Sequence, residues 1–243
     1  MKKLYLKNEL SFALVWIALY CVLQSLANAL NNVIGIENAA NAIFNLVLAV
    51  LLFCFIRKNG LLERYGLCKT SVPARKFLWY LPLFALASHN LWNGAALNFP
   101  LPGTICYVCS MLCVGFIEEV IFRGFLFRAI AKESVKKAVV ISSVTFGLGH
   151  LLNLINGSGM GLAENLYQVI AAVAIGFLFV TLFYRSGSLL PCILTHSAIN
   201  IASAFANEAG LVGGRRILLS FSLLVIVVAY TLLLTRTLPE KKG

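Results

Sequence analysis

Apolar residues occupy most positions of the chain and gather into runs of membrane-spanning length. An α-helix needs about 20 consecutive apolar residues to cross the hydrocarbon core of a bilayer. Runs of this kind recur from end to end, separated by short polar or basic connectors. They predict about eight spans, over residues 11–34, 39–56, 77–97, 104–130, 138–153, 164–184, 188–206 and 217–235. The predicted fold class is therefore all-α, a polytopic transmembrane helix bundle.

Composition agrees with this pattern. Of the 243 residues, 60% are hydrophobic and only 12% are charged, so the polar surface of a water-soluble globule is missing. The first apolar run is too long for the core of a secretory signal peptide, and we interpret it as the first span. No repeat or long linker divides the chain. We expect one membrane-embedded domain over 1–243, with its chemical motifs at about 104–206.

Basic residues suggest how the bundle is oriented. Lysine and arginine collect on the cytoplasmic side of short loops, and with both termini cytoplasmic nearly all of them fall there, except Arg215 and Arg216. This topology, with attraction to anionic lipid headgroups, accounts for the net charge of +11. Since no basic patch alternates with aromatic residues, nucleic acid is not an expected partner. Short loops and a lysine-rich start favour a bacterial plasma membrane.

The cysteines have two possible interpretations. Their count of seven is odd, and most lie within predicted spans, which is not the pattern of a secreted disulfide framework. Cys106, Cys109 and Cys113 share a helix face, so a thiolate cluster is conceivable, but no second cysteine pair on this helix completes a metal site. We therefore expect them to act as small apolar residues.

Three charged residues interrupt the apolar run "GFIEEVIFRGFLF" (115–127). Placing such a group in the middle of a membrane helix costs about 2.5 to 3.5 kcal/mol on insertion scales. Glu119 and Arg123 are four residues apart, which predicts a charge-assisted pair on one helix face. Glu118 is left without an evident partner.

Two further stretches are too polar for their surroundings. "TFGLGH" (145–150) places Phe146 and His150 four residues apart, and "THSAIN" (195–200) does the same for His196 and Asn200. One such group is more often an interhelical hydrogen bond than a catalyst. Together they are better explained by function, because ionisable groups inside membranes mark functional sites. The third histidine, His89, stands beside Trp92 and is predicted to be an interfacial anchor.

These groups are suited to attack on a carbonyl. A carboxylate and a histidine can hold and deprotonate water, while a second histidine and an amide can donate hydrogen bonds to an oxyanion. The chain has no G-x-S-x-G or H-E-x-x-H motif, and Cys192 near His196 is a weak candidate nucleophile. Metal catalysis stays open, since Glu118, His150 and His196 could bind a divalent ion and leave a position for water.

The three motifs resemble those of a known protease family. "EEVIFR" (118–123), "FGLGH" (146–150) and "HSAIN" (196–200) match E-E-x-x-x-R, F-x-x-x-H and H-x-x-x-N in order and on separate predicted spans. These motifs are typical of the CPBP intramembrane proteases, which include the CAAX prenyl endopeptidases and the bacterial Abi proteins. The resemblance extends from the fourth predicted span to the seventh.

The resemblance implies an intramembrane endopeptidase with a glutamate-type mechanism. It implies that Glu118 activates water with help from His150, and that His196 and Asn200 stabilise the tetrahedral intermediate. The residues that order the site would be Glu119, Arg123 and Phe146. We expect no resident cofactor, with a divalent metal such as zinc as the alternative. Expected partners are membrane lipids and a peptide or lipidated, including prenylated, protein substrate.

A second class of function competes with proteolysis. A non-catalytic immunity protein that binds a peptide, or a transporter, could also keep polar groups inside the membrane. Transporters usually contain repeated halves, which this chain lacks. Catalysis requires Glu118, His150, His196 and Asn200 to converge, whereas neither alternative does.

Overall fold

The protein is built from helices. A computed structural model describes residues 1–70, 72–155, 161–211 and 213–238, and within these ranges it contains no β-strand. The nearest approach to sheet is an isolated antiparallel bridge between Ala95 and Ala206. The predicted all-α class is confirmed.

Eleven α-helices follow one another within the described ranges: α1 Lys2–Lys7, α2 Glu9–Ile34, α3 Ala39–Lys58, α4 Leu81–Ser88, α5 Leu101–Glu118, α6 Arg128–Ala131, α7 Val135–Gly149, α8 Leu152–Ile155, α9 Leu162–Ser186, α10 Leu190–Ser203 and α11 Gly213–Thr237. Two 3₁₀ segments, Ala74–Tyr80 and His89–Leu91, flank α4. A π-helical segment, Glu119–Phe127, joins α5 to α6. α5, the π-helical segment and α6 form one continuous helix, Leu101–Ala131.

Helix ends coincide with residues that favour them. The Asn8 side chain accepts a hydrogen bond from the Ser11 amide at 2.9 Å and so caps the start of α2. Gly35 and Gly187, with φ of 76° and 72°, end α2 and α9 in the left-handed conformation that glycine adopts without a steric penalty. The start of α2 and the ends of α2 and α9 are thus set by local contacts.

Among the described residues, six helices are long and apolar enough to cross a membrane: Glu9–Asn31, Ala39–Lys58, Leu101–Ala131, Val135–Leu154, Leu162–Ser186 and Gly213–Thr237. The other two predicted spans, 77–97 and 188–206, contain the shorter helices α4 and α10, of 8 and 14 residues. At about 1.5 Å per residue, neither helix alone covers a hydrocarbon core about 30 Å thick. The predicted count of eight is not confirmed. The predicted cytoplasmic C-terminus lies outside the described residues.

The third predicted span contains only one short α-helix, because its first residues form a turn and α4 ends at Ser88, where the 3₁₀ segment His89–Leu91 begins. Leu78, Trp79 and Tyr80 have positive φ values of 51°, 51° and 60°. Residues other than glycine adopt this region at a cost of roughly 1–2 kcal/mol each. Hydropathy does not register such a turn, because the side chains on both sides of it are apolar.

Small residues bring the helices that carry the motifs close together. A Cβ atom on Gly115 of α5 would lie 2.7 Å from the backbone nitrogen of Ser197 on α10. Gly176 of α9 is also packed closely against Ser143 of α7, where a Cβ would lie 3.0 Å from the Ser143 Cα. Because membrane helices approach closely only at small residues, these glycines set the spacing between α5 and α10 and between α7 and α9.

An amide network ties α2, α3 and α5 together. The Gln24 side chain donates to Asn45, and Asn45 Nδ2 donates to Ser110 Oγ at 2.9 Å. Asn41 Nδ2 donates to Asn28 Oδ1, also at 2.9 Å. Asn45 and Ser110 are fully buried. Hydrogen bonds of this kind fix the register of one helix against another, so α2 is held in place beside α5.

Candidate active site

Two adjacent glutamates stand where α5 passes into the π-helical segment. Glu118 ends α5, and Glu119 begins the π turns. The Glu119 side chain is fully buried, whereas that of Glu118 keeps 15% of its surface exposed. Short π-helical stretches within longer helices occur frequently at functional sites. Both carboxylates face His196 of α10.

Glu119 forms the predicted ion pair with Arg123. Arg123 Nη1 lies 3.2 Å from Glu119 Oε1, and both side chains are fully buried. The Arg123 guanidinium carbon also lies 4.0 Å from the centroid of the Phe146 ring, in a cation–π contact. The motif on α5 and the motif on α7 therefore meet at Arg123.

His196 of α10 lies between the two glutamates. Its Nδ1 is 2.8 Å from Glu119 Oε1, and its Nε2 is 3.5 Å from Glu118 Oε2. When Nδ1 donates its proton to Glu119, the tautomer and the ring orientation are fixed. A separation of 3.5 Å exceeds the usual 2.7–3.2 Å of an N–H···O hydrogen bond. Nε2 therefore has no strong partner in the cluster.

Phe146 contacts both imidazoles. Its ring makes edge contacts with His150, at 5.6 Å between centroids, and with His196, at 5.7 Å. His150 is half-buried at the end of α7. Its backbone carbonyl accepts a hydrogen bond from Asn165 Nδ2 at 2.9 Å. This bond anchors the end of α7 to α9.

Asn200 lies at the edge of the cluster. It follows His196 by one helical turn on α10 and is half-buried. Its backbone carbonyl accepts from Ser203 Oγ at 2.6 Å, but no hydrogen bond in the described ranges joins its amide to either glutamate. The structure thus places His150 next to the cluster and leaves Asn200 one turn away. Five of the predicted residues are in direct contact: Glu118, Glu119, Arg123, Phe146 and His196.

Tyr20 of α2 is a site residue that the sequence motifs do not include. Its hydroxyl donates a hydrogen bond to Glu118 Oε1 at 2.6 Å, and the residue is only 8% exposed. Tyr20 lies in an apolar run, where an aromatic residue is unremarkable. The only available signal was general: a buried tyrosine hydroxyl needs a hydrogen-bond partner.

The residues proposed as alternative metal ligands do not form a ligand set. In the described part of the chain, no group of three or more His, Cys, Asp or Glu residues has the spacing of a metal site. The rings of His150 and His196 both pack against Phe146. All seven cysteines are free, and the buried Cys192 donates its thiol hydrogen to the Phe179 carbonyl at 3.4 Å.

A comparison with protein families places this geometry in context. Residues 100–202 match the family described as type II CAAX prenyl endopeptidase, Rce1-like. The predicted family resemblance is confirmed. The matched segment begins next to α5, ends within α10, and contains all three motifs. With the six long apolar helices, it makes the chain an integral membrane protein. No curated protein and no solved structure matches the chain significantly.

Proposed function

We propose that this protein is an intramembrane endopeptidase that hydrolyses a peptide bond in a membrane-associated peptide or lipidated protein. One observation carries the proposal. Two carboxylates from α5 and the π-helical segment meet an imidazole from α10, inside a bundle whose matched segment is of the CAAX endopeptidase type. These groups can move a proton and stabilise negative charge away from bulk water.

Glu118 is the proposed general base. Its Oε2 takes a proton from a water molecule, and the water oxygen forms a bond to the carbonyl carbon of the substrate. The π electrons of the carbonyl move to its oxygen, which gives a tetrahedral oxyanion. His150, whose ring contacts Phe146 beside the glutamates, is proposed to help to hold the water. General base catalysis of this kind contributes roughly 10²- to 10⁴-fold to rate.

His196 and Asn200 are the proposed donors to the oxyanion. Donation from His196 Nε2 requires a proton on both ring nitrogens, and Glu119 already binds Nδ1. A doubly protonated ring gives the four ionisable groups a formal charge of zero: two carboxylates, one guanidinium and one imidazolium. Collapse of the intermediate breaks the C–N bond, and Glu118 returns its proton to the leaving amine.

Glu119, Arg123 and Phe146 are proposed to order the site. Glu119 holds the His196 ring, Arg123 balances the Glu119 charge, and Phe146 packs against both histidine rings and Arg123. Residues that support a reacting group in this way fix its geometry before substrate arrives. The cluster is therefore held together mainly by contacts between different helices.

We also propose that the chain crosses the membrane eight times with both termini in the cytoplasm. Contacts at the two ends of α10 support this topology. At its start, the Leu189 amide donates to the carbonyl of Gly66, within the basic 57–76 loop, and at its other end the Asn98 side chain donates to the carbonyl of Ser203. The segment 77–98 is proposed to extend between the same two ends. At the start of this segment, the Phe77 carbonyl accepts a hydrogen bond from Tyr230. Segments around the short helices would complete the two remaining crossings.

The proposed reaction needs no resident metal, with zinc as the alternative, and its proposed setting is a bacterial plasma membrane. The assay uses a quenched fluorescent peptide with a prenylated cysteine near its C-terminus and the same peptide without the prenyl group. Cleavage of both would place recognition in the peptide. Cleavage of the prenylated form alone would place it in the lipid. Turnover should survive a zinc chelator.

The critical variant is Glu118→Gln, with Glu133→Gln as the matched control because Glu133 is exposed in the connection after α6. Loss of the base should lower kcat/KM by at least about 10²-fold, while the control keeps full activity. Both variants should unfold at the same temperature as the parent protein in detergent. Undiminished turnover by Glu118→Gln would contradict the mechanism. Tight peptide binding without cleavage by the parent protein would favour a non-catalytic function.

A further inference from the structure

The proposed base receives a hydrogen bond from a helix outside the matched family segment. Tyr20 and Glu118 are separated by 98 positions in the chain, and the hydroxyl of Tyr20 lies 2.6 Å from Glu118 Oε1. The match begins at residue 100, so α2 lies outside it. A hydrogen bond from a hydroxyl to a carboxylate at this distance belongs to the short, charge-assisted class.

Tyr20 is held in place by the helix on which it stands. Gln24 follows it by four residues, on the same face of α2, and donates to Asn45 of α3. Asn45 in turn donates a hydrogen bond to the buried Ser110 of α5, two turns before Glu118. The helix that carries the hydroxyl and the helix that carries the carboxylate are thus connected by buried hydrogen bonds. The position of the hydroxyl is set by the bundle.

The bond makes the two oxygens of Glu118 inequivalent. Oε1 accepts from Tyr20, whereas Oε2 faces His196 Nε2 at 3.5 Å. A carboxylate with one oxygen fixed cannot rotate freely about its last side-chain bond. The remaining oxygen keeps its place opposite the imidazole. A base must hold such a position, because displacements of about 1 Å can cost about 10²-fold in rate.

We propose that Tyr20 is a positioning residue for the reaction: it holds Glu118 Oε1 so that Oε2 is the oxygen that takes the proton from water. This inference rests on the proposed function. It extends the active site to α2 and makes the matched segment incomplete without the N-terminal helices. Tyr20 acts through Glu118 and does not itself bind the peptide.

The test removes the hydroxyl alone. Tyr20→Phe keeps the ring and its packing, so the peptide should bind as before. We expect kcat to fall on the order of tenfold, as the loss of an orienting hydrogen bond would produce, with KM within about twofold. Tyr230→Phe is the matched control, because it also loses a buried hydrogen bond, the 2.8 Å bond from the Tyr230 hydroxyl to the Phe77 carbonyl, without contact to Glu118. It should keep the parent kcat.

A second background separates positioning from a general effect on folding. Glu118→Asp shortens the side chain and withdraws the carboxylate from the Tyr20 hydroxyl. Adding Tyr20→Phe to this variant should therefore lower kcat less than about twofold, since interacting residues are not additive. A full tenfold further loss would overturn the proposal and indicate an effect independent of the carboxylate.

The outcomes distinguish this inference from the function on which it rests. Parent-like turnover by Glu118→Gln removes the base and the role of Tyr20 with it. An inactive Glu118→Gln combined with parent kcat and KM in Tyr20→Phe removes the role of Tyr20 and leaves the base. A raised KM with unchanged kcat in Tyr20→Phe also contradicts the proposal, because it assigns the hydroxyl to substrate binding.

Discussion

Replacing Arg123 by leucine tests how the buried charges are held. Arg123 and Glu119 are both fully buried, 3.2 Å apart, and Arg123 also packs at 4.0 Å on the Phe146 ring. Removing one partner leaves a carboxylate buried without its compensating cation. Such a change costs about 3–5 kcal/mol, and a desolvated cation–π contact adds about 2 kcal/mol.

The cost of leaving the Glu119 carboxylate buried without its cation predicts a large loss of stability. We expect Arg123→Leu to lower the free energy of unfolding by at least about 3 kcal/mol, measured by chemical denaturation in detergent micelles. Replacing both charges, as Glu119→Leu with Arg123→Leu, should recover part of that loss, because no uncompensated charge remains. Both variants should lose activity, since His196 depends on Glu119 for its orientation. Parent-like stability of Arg123→Leu, or a double variant less stable than the single one, would refute this account of the ion pair.

Two substitutions test how the helices are held together: one their spacing, the other the buried amide network. Gly115→Ala places a Cβ atom 2.7 Å from the Ser197 backbone nitrogen, so α5 and α10 must separate. We expect kcat to fall tenfold or more, because displacements of about 1 Å have effects of this size. Gly214→Ala, in open space, is the control, and equal kcat in both variants would contradict the argument. Asn45→Val leaves the Ser110 hydroxyl buried without its donor, which should cost about 1–3 kcal/mol in denaturation experiments; an unchanged midpoint would show that the amide network contributes nothing.

The polar members of the site could be predicted because they are costly where they stand. Glu119 and Arg123 are four residues apart in an apolar run, and their spacing alone indicated the ion pair that the structure contains. His196 attracted attention for the same reason. A charged or strongly polar residue at membrane depth is a clear signal, since lipid offers it no hydrogen-bond partner.

The contribution of α2 could not be predicted in this way. Tyr20 is an amphipathic residue for which an apolar run is an ordinary setting, and its partner is 98 positions away. The link from Glu119 to His196 was also not foreseen, because the motifs give the order of the helices but not their rotation. These contacts arise from helix packing, which depends on small residues such as Gly115.

The number of crossings shows a different limit. The apolar run over 77–97 has the length of a span, yet its backbone turns at Leu78, Trp79 and Tyr80, and its α-helix ends at Ser88. A hydropathy profile averages side chains and contains no information on φ angles. Helix length could therefore be predicted where the run is uninterrupted, as in α9, and not where the chain bends within apolar sequence.

The most direct test of the central claim is mass spectrometry of membrane proteins from cells that contain the parent protein or Glu118→Gln. If Glu118 activates water for peptide hydrolysis, one or more membrane-associated polypeptides will carry a new C-terminus in the first sample and remain intact in the second. Identical polypeptide ends in the two samples, with both proteins present at equal levels, would contradict proteolysis by this site.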